Sequence, residues 1–335
     1  MKKTMLALLG GLVVSLCAAM PAIADQKLLV YTSMRESLIG ELKVAFAKKY
    51  PDIDVDYQSG GAGKLMARIA AEQDAGAILA DVLWTSEVPD FYQLKSQGLL
   101  QPYTPTEIKS VINPFKDYDG SFTAARLGTL GIVYNTRFVK DAPRTWQDAQ
   151  KPIFKGAFGI ANPSISATAY IGVALLAKTF GWSYFEALQA NGARVGKGSG
   201  QLVDETGSGD LLACLAADHV ALDKIDKGAT LALAYPQEML VIPSPIAILK
   251  GAPNAEAARQ FVDFVLSKEG QTIIADDGML PVRSDVTIPE RFNLPSPADA
   301  MKRAIKIDYS QLMAEKEATI KRFSEIMQKA VGDKR

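Results

Sequence analysis

Ala161–Phe180 (ANPSISATAYIGVALLAKTF) places hydroxyls at alternate positions, Ser164, Ser166 and Thr168, ahead of an apolar run from Tyr170 to Leu176. The run predicts a buried helix with a polar first turn. The first N–H groups of a helix have no internal partner, and the helix dipole gives that end about half a positive charge. A hydroxyl-ringed helix start can therefore cradle an anion, although a capped core helix carries the same signature. The chain repeats the device at four further strand-to-helix turns: Thr32-Ser33, Ser59-Gly60-Gly61, Thr85-Ser86 and Thr206-Gly207-Ser208. The residues expected to converge on one anionic group are Ser33, Gly60, Gly61, Ser86, Ser164, Ser166, Thr168, Gly207 and Ser208. Arg126 lies on a strand leaving the first of these units, where a guanidinium can fork onto an oxyanion or sit in an ion pair. Asp204, Glu205 and Glu238 could take hydroxyls or an amine on the rest of a ligand.

Other chemistries find less support. Ser59–Lys64 (SGGAGK) lacks the first Gly and the final Ser/Thr of a phosphate loop, since Gln58 and Leu65 stand there. A Ser-His-Asp set would need His219, the only histidine, which reads as a solvated helix residue. Zinc would need more His and Cys than the chain offers. Trp84 reads as strand core rather than a stacking platform. Catalysis and a metal or organic cofactor are not expected.

The elements that would position the turns alternate. Lys27–Tyr31, Ile53–Tyr57 and Asp81–Trp84 read as strands. Helices follow each of them, the first opened by a Ser33-x-x-Glu36 capping box. That βαβα order implies a parallel sheet, and such sheets bind ligands beyond the strand carboxyl ends. Phe122–Asn135 reads as a strand pair, Gly156–Ala161 as a strand, and Trp182–Asn191 as a helix. Gly192–Gly200 reads as a flexible loop, Gln201–Asp204 as a short strand, and the stretch from Thr206 as a helix holding Leu211 and Leu215. Thr230–Tyr235 is strand-like, Pro236–Lys250 a return crossing, and Ala255–Leu266 an amphipathic helix. Ser296–Ala330 reads as one or two surface helices.

Residues 1–24 read as a Sec signal peptide: Lys2 and Lys3, an apolar Met5–Met20, and a cleavage site after Ala24. Leu16 before Cys17 argues against a lipid anchor. Cys214 is the only other cysteine, so the mature chain can form no internal disulfide. Lys and Arg total 37 against 37 for Asp and Glu, which argues against nucleic acid or an anionic membrane as partner. No later apolar run reaches the ~18 charge-free residues of a membrane span.

Five short marks occur in order: Leu29–Ser33 (LVYTS), Asp81–Ser86 (DVLWTS), Gly131–Asn135 (GIVYN), Ser244–Asn254 (SPIAILKGAPN), and Ala255–Gly270 with Gly278–Val282 (GMLPV). On them the chain resembles the family-1 extracellular solute-binding proteins of ABC importers, which include ferric-iron, thiamine, phosphonate and sugar-phosphate binders. The resemblance covers essentially the whole mature chain. It implies an α/β, two-lobe periplasmic-binding-protein type II fold. Each lobe would be a mixed, mainly parallel sheet flanked by helices, and crossing hinge strands would join them. The first lobe would be residues 25–126 and 245–287, the second 127–244 and 288–335. It further implies a periplasmic monomer that delivers a small solute to an inner-membrane permease. Ferric-iron members generally use two neighbouring tyrosines in the second lobe. Here Tyr170 and Tyr184 are not adjacent, and a hard ferric ion wants anionic oxygens. A small phosphorylated or phosphonate solute is therefore expected ahead of iron, with a periplasmic phosphate-ester hydrolase as the alternative from another class.

Overall fold

The structure is a computed structural model and describes residues 26–115 and 118–328. The leader at 1–24 lies outside them. Ten strands form one sheet in the order β2-β1-β3-β10-β5-β8-β6-β7, with β4 on β10 and β9 on β5. The first unit runs β1 (Gln26–Thr32), α1 (Glu36–Lys49), β2 (Ile53–Ser59), α2 (Ala62–Asp74), β3 (Val82–Trp84), α3 (Val88–Ser96) and β4 (Leu100–Gln101). β1 lies between β2 and β3 and is parallel to both. Its continuous apolar run, Leu28 to Tyr31, suits a strand covered on both faces.

β5 (Thr123–Asn135) is a single strand of 13 residues, not the pair expected, and all of it but Tyr134 is buried. It runs antiparallel to β10 (Leu240–Leu249) along its first half and to β8 and β9 along its second. β5 and β10 thus carry the sheet from one hydrophobic core to another. The pairing of these two strands slips by a residue between Ser244 and Pro245. Proline there can donate no ladder hydrogen bond, a setting in which bulges arise.

The second unit contains β6 (Phe158–Ala161), α4 (Ala167–Phe180), α5 (Ser183–Ala190), β7 (Arg194–Gly196), α6 (Ser199–Ser208), β8 (Ala213–Ala217), α7 (Asp218–Asp226) and β9 (Leu231–Ala234). β6 is parallel to both β7 and β8. The expected strand at Gln201–Asp204 is helical, and β7 occupies the expected loop. Thr206–Ser208 ends α6 instead of opening a helix, and Gly209 follows with φ 94°, the left-handed stop that glycine supplies. The capping box at Ser33 is not made. The amide of Met34 donates to Thr32 Oγ1 at 3.0 Å, and α1 begins after Arg35 with no side-chain cap.

One core gathers around Trp84, Phe46, Phe261 and Phe264, the last two supplied by α8 (Ala255–Leu266) and stacked edge-on against Phe46. A second holds Trp146, Phe185 and Leu240, and a third, with Leu202, Leu211 and buried Cys214, covers the other face of β8. α9 (Lys268–Asp276) packs beside α8. The chain then forms three tail helices: α10 (Pro297–Arg303), α11 (Tyr309–Ala314) and α12 (Lys316–Met327). Residues 288–335 were expected on the second lobe. Ala300 instead packs in the first core, whereas Leu312, Phe323 and Ile326 pack in the second. Among the described residues no helix is long and apolar enough to cross a membrane.

Candidate functional site

The carboxyl ends of β1, β2 and β3 face those of β6 and β8 across the β5–β10 crossing. A cavity of about 240 Å³ opens there. Its floor is Arg126, Gly128, Thr129 and Leu130 of β5 with Ile242 of β10. Ser33, Gly61, Ala62, Ser86 and Glu87 line one wall, where α1, α2 and α3 start. Thr168 in the first turn of α4, and Ala217, Asp218 and His219 at the start of α7, line the other. Helix amino ends from both units are thus turned toward one space, as the topology of an open α/β sheet predicts.

Arg126 dominates the floor. The residue is 3 % exposed. Its Nε donates to Met34 Sδ, a weak acceptor, at 3.4 Å and its Nη2 to Ser86 Oγ at a long 3.3 Å. Nη1 is buried and has no partner among the described residues. Burial, with a smaller contribution from Arg35, holds the guanidinium below its ordinary pKa, and Asp218 opposes this. A buried guanidinium with an unused N–H is costly unless an acceptor arrives.

Asp218 is fully buried. Oδ2 accepts from the Thr129 amide at 3.0 Å and from Thr129 Oγ1 at 2.7 Å, while Oδ1 accepts from the His219 amide at 2.6 Å. His219 Nδ1 lies 3.4 Å from Oδ1. Burial pushes this carboxyl up, but His219, the Arg126 charge and Thr129 outweigh it and hold the group below its ordinary range. Its own burial, and then the same negative charge, push the neighbouring Tyr235 phenol well up. Glu87 is the other acid on the wall. Burial, then Asp90, raises it to about 7, against a lowering by Lys316.

The thirteen expected site residues divide. Ser33, Gly61, Ser86, Arg126 and Thr168 come together at the cavity. Gly60 stands beside them, but its amide is spent on Thr32 O at 3.0 Å. Ser166 caps α4 through the Ala169 amide at 3.3 Å and sits 3.2 Å behind the Thr168 hydroxyl. Ser164 is exposed in the preceding turn. Gly207 and Ser208 lie at the carboxyl end of α6, whose dipole repels an anion. Asp204 pairs with Lys224 at 2.7 Å, and Glu205 accepts from Gln201 at 2.7 Å. Glu238 receives the Trp146 indole N–H on its backbone oxygen at 2.8 Å. None of these last five lines the cavity. Sequence reasoning missed Glu87, Thr129, Asp218 and His219. The one signal for the last pair was an acidic residue opening a helix directly after an apolar run. His219 lines the cavity instead of being the solvated surface residue expected.

A larger hollow of about 560 Å³ lies between α4 and the tail helices. Its cations are already engaged, Lys178 with Gln311 and Arg322 with Glu186. Tyr170 and Tyr184 do not reach the central cavity. Both are buried, and their hydroxyls donate to the backbone oxygens of Leu312 and Trp146.

The first wall and α7 also meet directly. Arg35 Nη1 lies 3.3 Å from Asp223 Oδ1 on α7, while its Nη2 holds Asp277 at 2.6 Å. Arg291 Nε reaches Asp226 at 3.2 Å. These pairs are partly exposed, so each should be worth about 0–1 kcal/mol. They nonetheless tie the two sides of the cleft. Arg35→Ala should increase the radius of gyration of the unliganded protein in small-angle scattering and weaken ligand binding by no more than about fivefold. An unchanged radius would show that the pairs do not hold the cleft closed.

Comparison with known proteins agrees with this architecture. A family model described as "Bacterial extracellular solute-binding protein" matches residues 27–280. A Salmonella typhimurium protein named "Putative 2-aminoethylphosphonate-binding periplasmic protein" is 28% identical over 254 residues, covering 71% of this chain and 72% of that one. The periplasmic binding protein AfuA from Actinobacillus pleuropneumoniae, solved with fructose-6-phosphate, superposes with a TM-score of 0.72 at 25% identity, over 91% of this chain and 100% of that one. Iron-bound HitA from Pseudomonas aeruginosa superposes with a TM-score of 0.73 at 24% identity, over 90% and 99%, a likeness of fold. The chain belongs to the bacterial extracellular solute-binding proteins.

Proposed function

We propose that this protein is the periplasmic binding component of an ABC importer and captures a small phosphonate or phosphate-bearing solute in the cavity over β5. The observation that carries the reading is the buried, unpartnered Nη1 of Arg126 at the floor. Ser33, Ser86 and Thr168 surround it with hydroxyls, and the start of α2 borders the same space with its first-turn amides. Uncharged donors around one guanidinium suit a phosphoryl or phosphonyl group.

Residues 1–24 would direct export, the units on either side of β5 and β10 would be the two lobes, and bending would fall on those strands and the 304–312 passage. The ligand would then be enclosed and carried to a permease, with the protein acting as a monomer. The commitment of Tyr170 and Tyr184 to backbone oxygens favours the anion over ferric iron. Among the described residues the one cavity hydroxyl held against a carboxylate, Thr129 on Asp218 at 2.7 Å, belongs to a fully buried link between β5 and α7, which favours binding over hydrolysis. Calorimetric titration of the stripped protein with small phosphonates and phosphate monoesters tests the reading. One-to-one saturation by at least one of them is expected. Absence of heat with the whole set, together with saturation by ferric citrate, would overturn it.

A further inference from the structure

An anion alone leaves one group of the cavity unexplained. Glu87 stands at the N-cap position of α3 and lines the cavity, half-buried. Its side chain caps nothing, and its carboxylate makes no hydrogen bond or ion pair among the described residues. On the floor of the same cavity lies Arg126, nearly fully buried, with Nη1 unused. Arg126 thus has Asp218 acting on it and Glu87 has Lys316, and the two line one space without touching each other. The cavity, about 240 Å³, is below the ~300–1,000 Å³ of pockets for drug-sized ligands. A ligand filling both ends must be small and carry both charges.

We infer that Glu87 is a specificity-determining residue that pairs with an ammonium group on the ligand, so that the solute is a small amino-phosphonate or amino-phosphate zwitterion. The inference rests on the proposed anion site at Arg126 and adds the second end. Other charged groups acting on Glu87 are Asp90 in the first turn of α3 and Lys316 at the start of α12. Arg126, Asp218 and His219 share the cavity. Burial pushes the Glu87 carboxyl up to about 7, with Asp90 adding to it. The free protein thus holds a proton there near neutrality, and an arriving ammonium must displace it. Affinity for an amine-bearing ligand should therefore rise with pH through 7. For an anion without an amine the sign reverses, because ionised Glu87 would repel it.

The test compares 2-aminoethylphosphonate with ethylphosphonate and fructose 6-phosphate by calorimetry at pH 6, 7 and 8, on wild type and Glu87→Gln. The Gln variant controls for ionisation of the ligands themselves. Wild type should prefer the amine ligand over ethylphosphonate by about thirtyfold at pH 8, the worth of a charge-assisted contact. Its affinity for the amine ligand should gain about tenfold more between pH 6 and 8 than that of the Gln variant. Glu87→Gln should reduce the preference to about threefold or less, and Glu87→Asp, which keeps the charge, should retain part of it. Equal binding of the two phosphonates by wild type, tighter binding of fructose 6-phosphate, or an undiminished preference in Glu87→Gln would overturn the inference and leave the anion site standing. Failure of all three ligands to bind would overturn the anion site itself.

Discussion

Arg126→Gln should lower affinity for a phosphonate or phosphate ligand at least about a hundredfold while shifting the melting temperature by only a few degrees. The guanidinium is almost fully buried, and its two hydrogen bonds, at 3.4 Å to a thioether and 3.3 Å to Ser86, are weak. No carboxylate is bonded to it among the described residues, and Nη1 is idle. The unliganded fold therefore bears the desolvation of a charge whose main return is the attraction of buried Asp218. An oxyanion would receive charge-assisted hydrogen bonds worth about 1.5–3 kcal/mol each, from a fork that can make two. Removing the cation removes those contacts, whereas the desolvation it relieves is offset by the lost attraction to Asp218, so binding should fall far more than stability. Arg126→Lys should rescue little, because a point ammonium cannot reproduce the planar fork. A variant that melts many degrees lower yet binds normally would make Arg126 a structural residue.

Asp218→Ala should destabilise the protein by about 3–5 kcal/mol. The side chain is wholly buried and receives three hydrogen bonds, two from Thr129 in the middle of β5 and one from the adjacent His219 amide at the start of α7. Truncation strands the Thr129 amide and hydroxyl, and it deletes the negative charge that α7 favours at its amino end. Asp218→Asn should cost less, since an amide oxygen can still accept from one side. Acid should reveal the same link. Burial pushes the carboxyl up, but its hydrogen-bonding and charged neighbours hold it below the ordinary value. With the folded pKa depressed, the stabilisation is fully present above the unfolded value near 3.8 and is lost as pH falls through the folded one. Chemical denaturation from pH 7 to 2.5 should therefore show a steeper fall for wild type than for Asp218→Asn below about pH 4. Parallel curves would mean that Asp218 titrates alike folded and unfolded.

The first unit was legible because each of its strands is short, β-branched and followed at once by small polar residues and an amphipathic helix. That order places Ser33, Gly61 and Ser86 at strand carboxyl ends without any tertiary information. Legibility failed between Gln201 and Ala217. The true strand there is Ala213–Ala217 (ACLAA), whose alanines carry little β-propensity, so its apolar run reads as helix. The Gly207-Ser208-Gly209 stretch looks like a strand-to-helix turn but stops α6. One misplaced element moved the second wall from Ala217–His219 to Gly207–Ser208. Arg126 was legible from its place on a crossing strand, although the register slip beside it falls at Ser244 and Pro245, more than a hundred residues away. Glu87 was invisible for a chemical reason: an acid does not suggest itself in a site built for an anion.

The most direct test of the account is the ³¹P spectrum of 2-aminoethylphosphonate or a small phosphate monoester mixed with one equivalent of stripped protein. The cavity over Arg126 predicts a distinct bound resonance that is absent with Arg126→Gln, and no growth of an inorganic phosphate line from the monoester over prolonged incubation. A spectrum showing only free ligand would contradict capture of a phosphorus-bearing solute, and a growing inorganic phosphate line would contradict a binding protein.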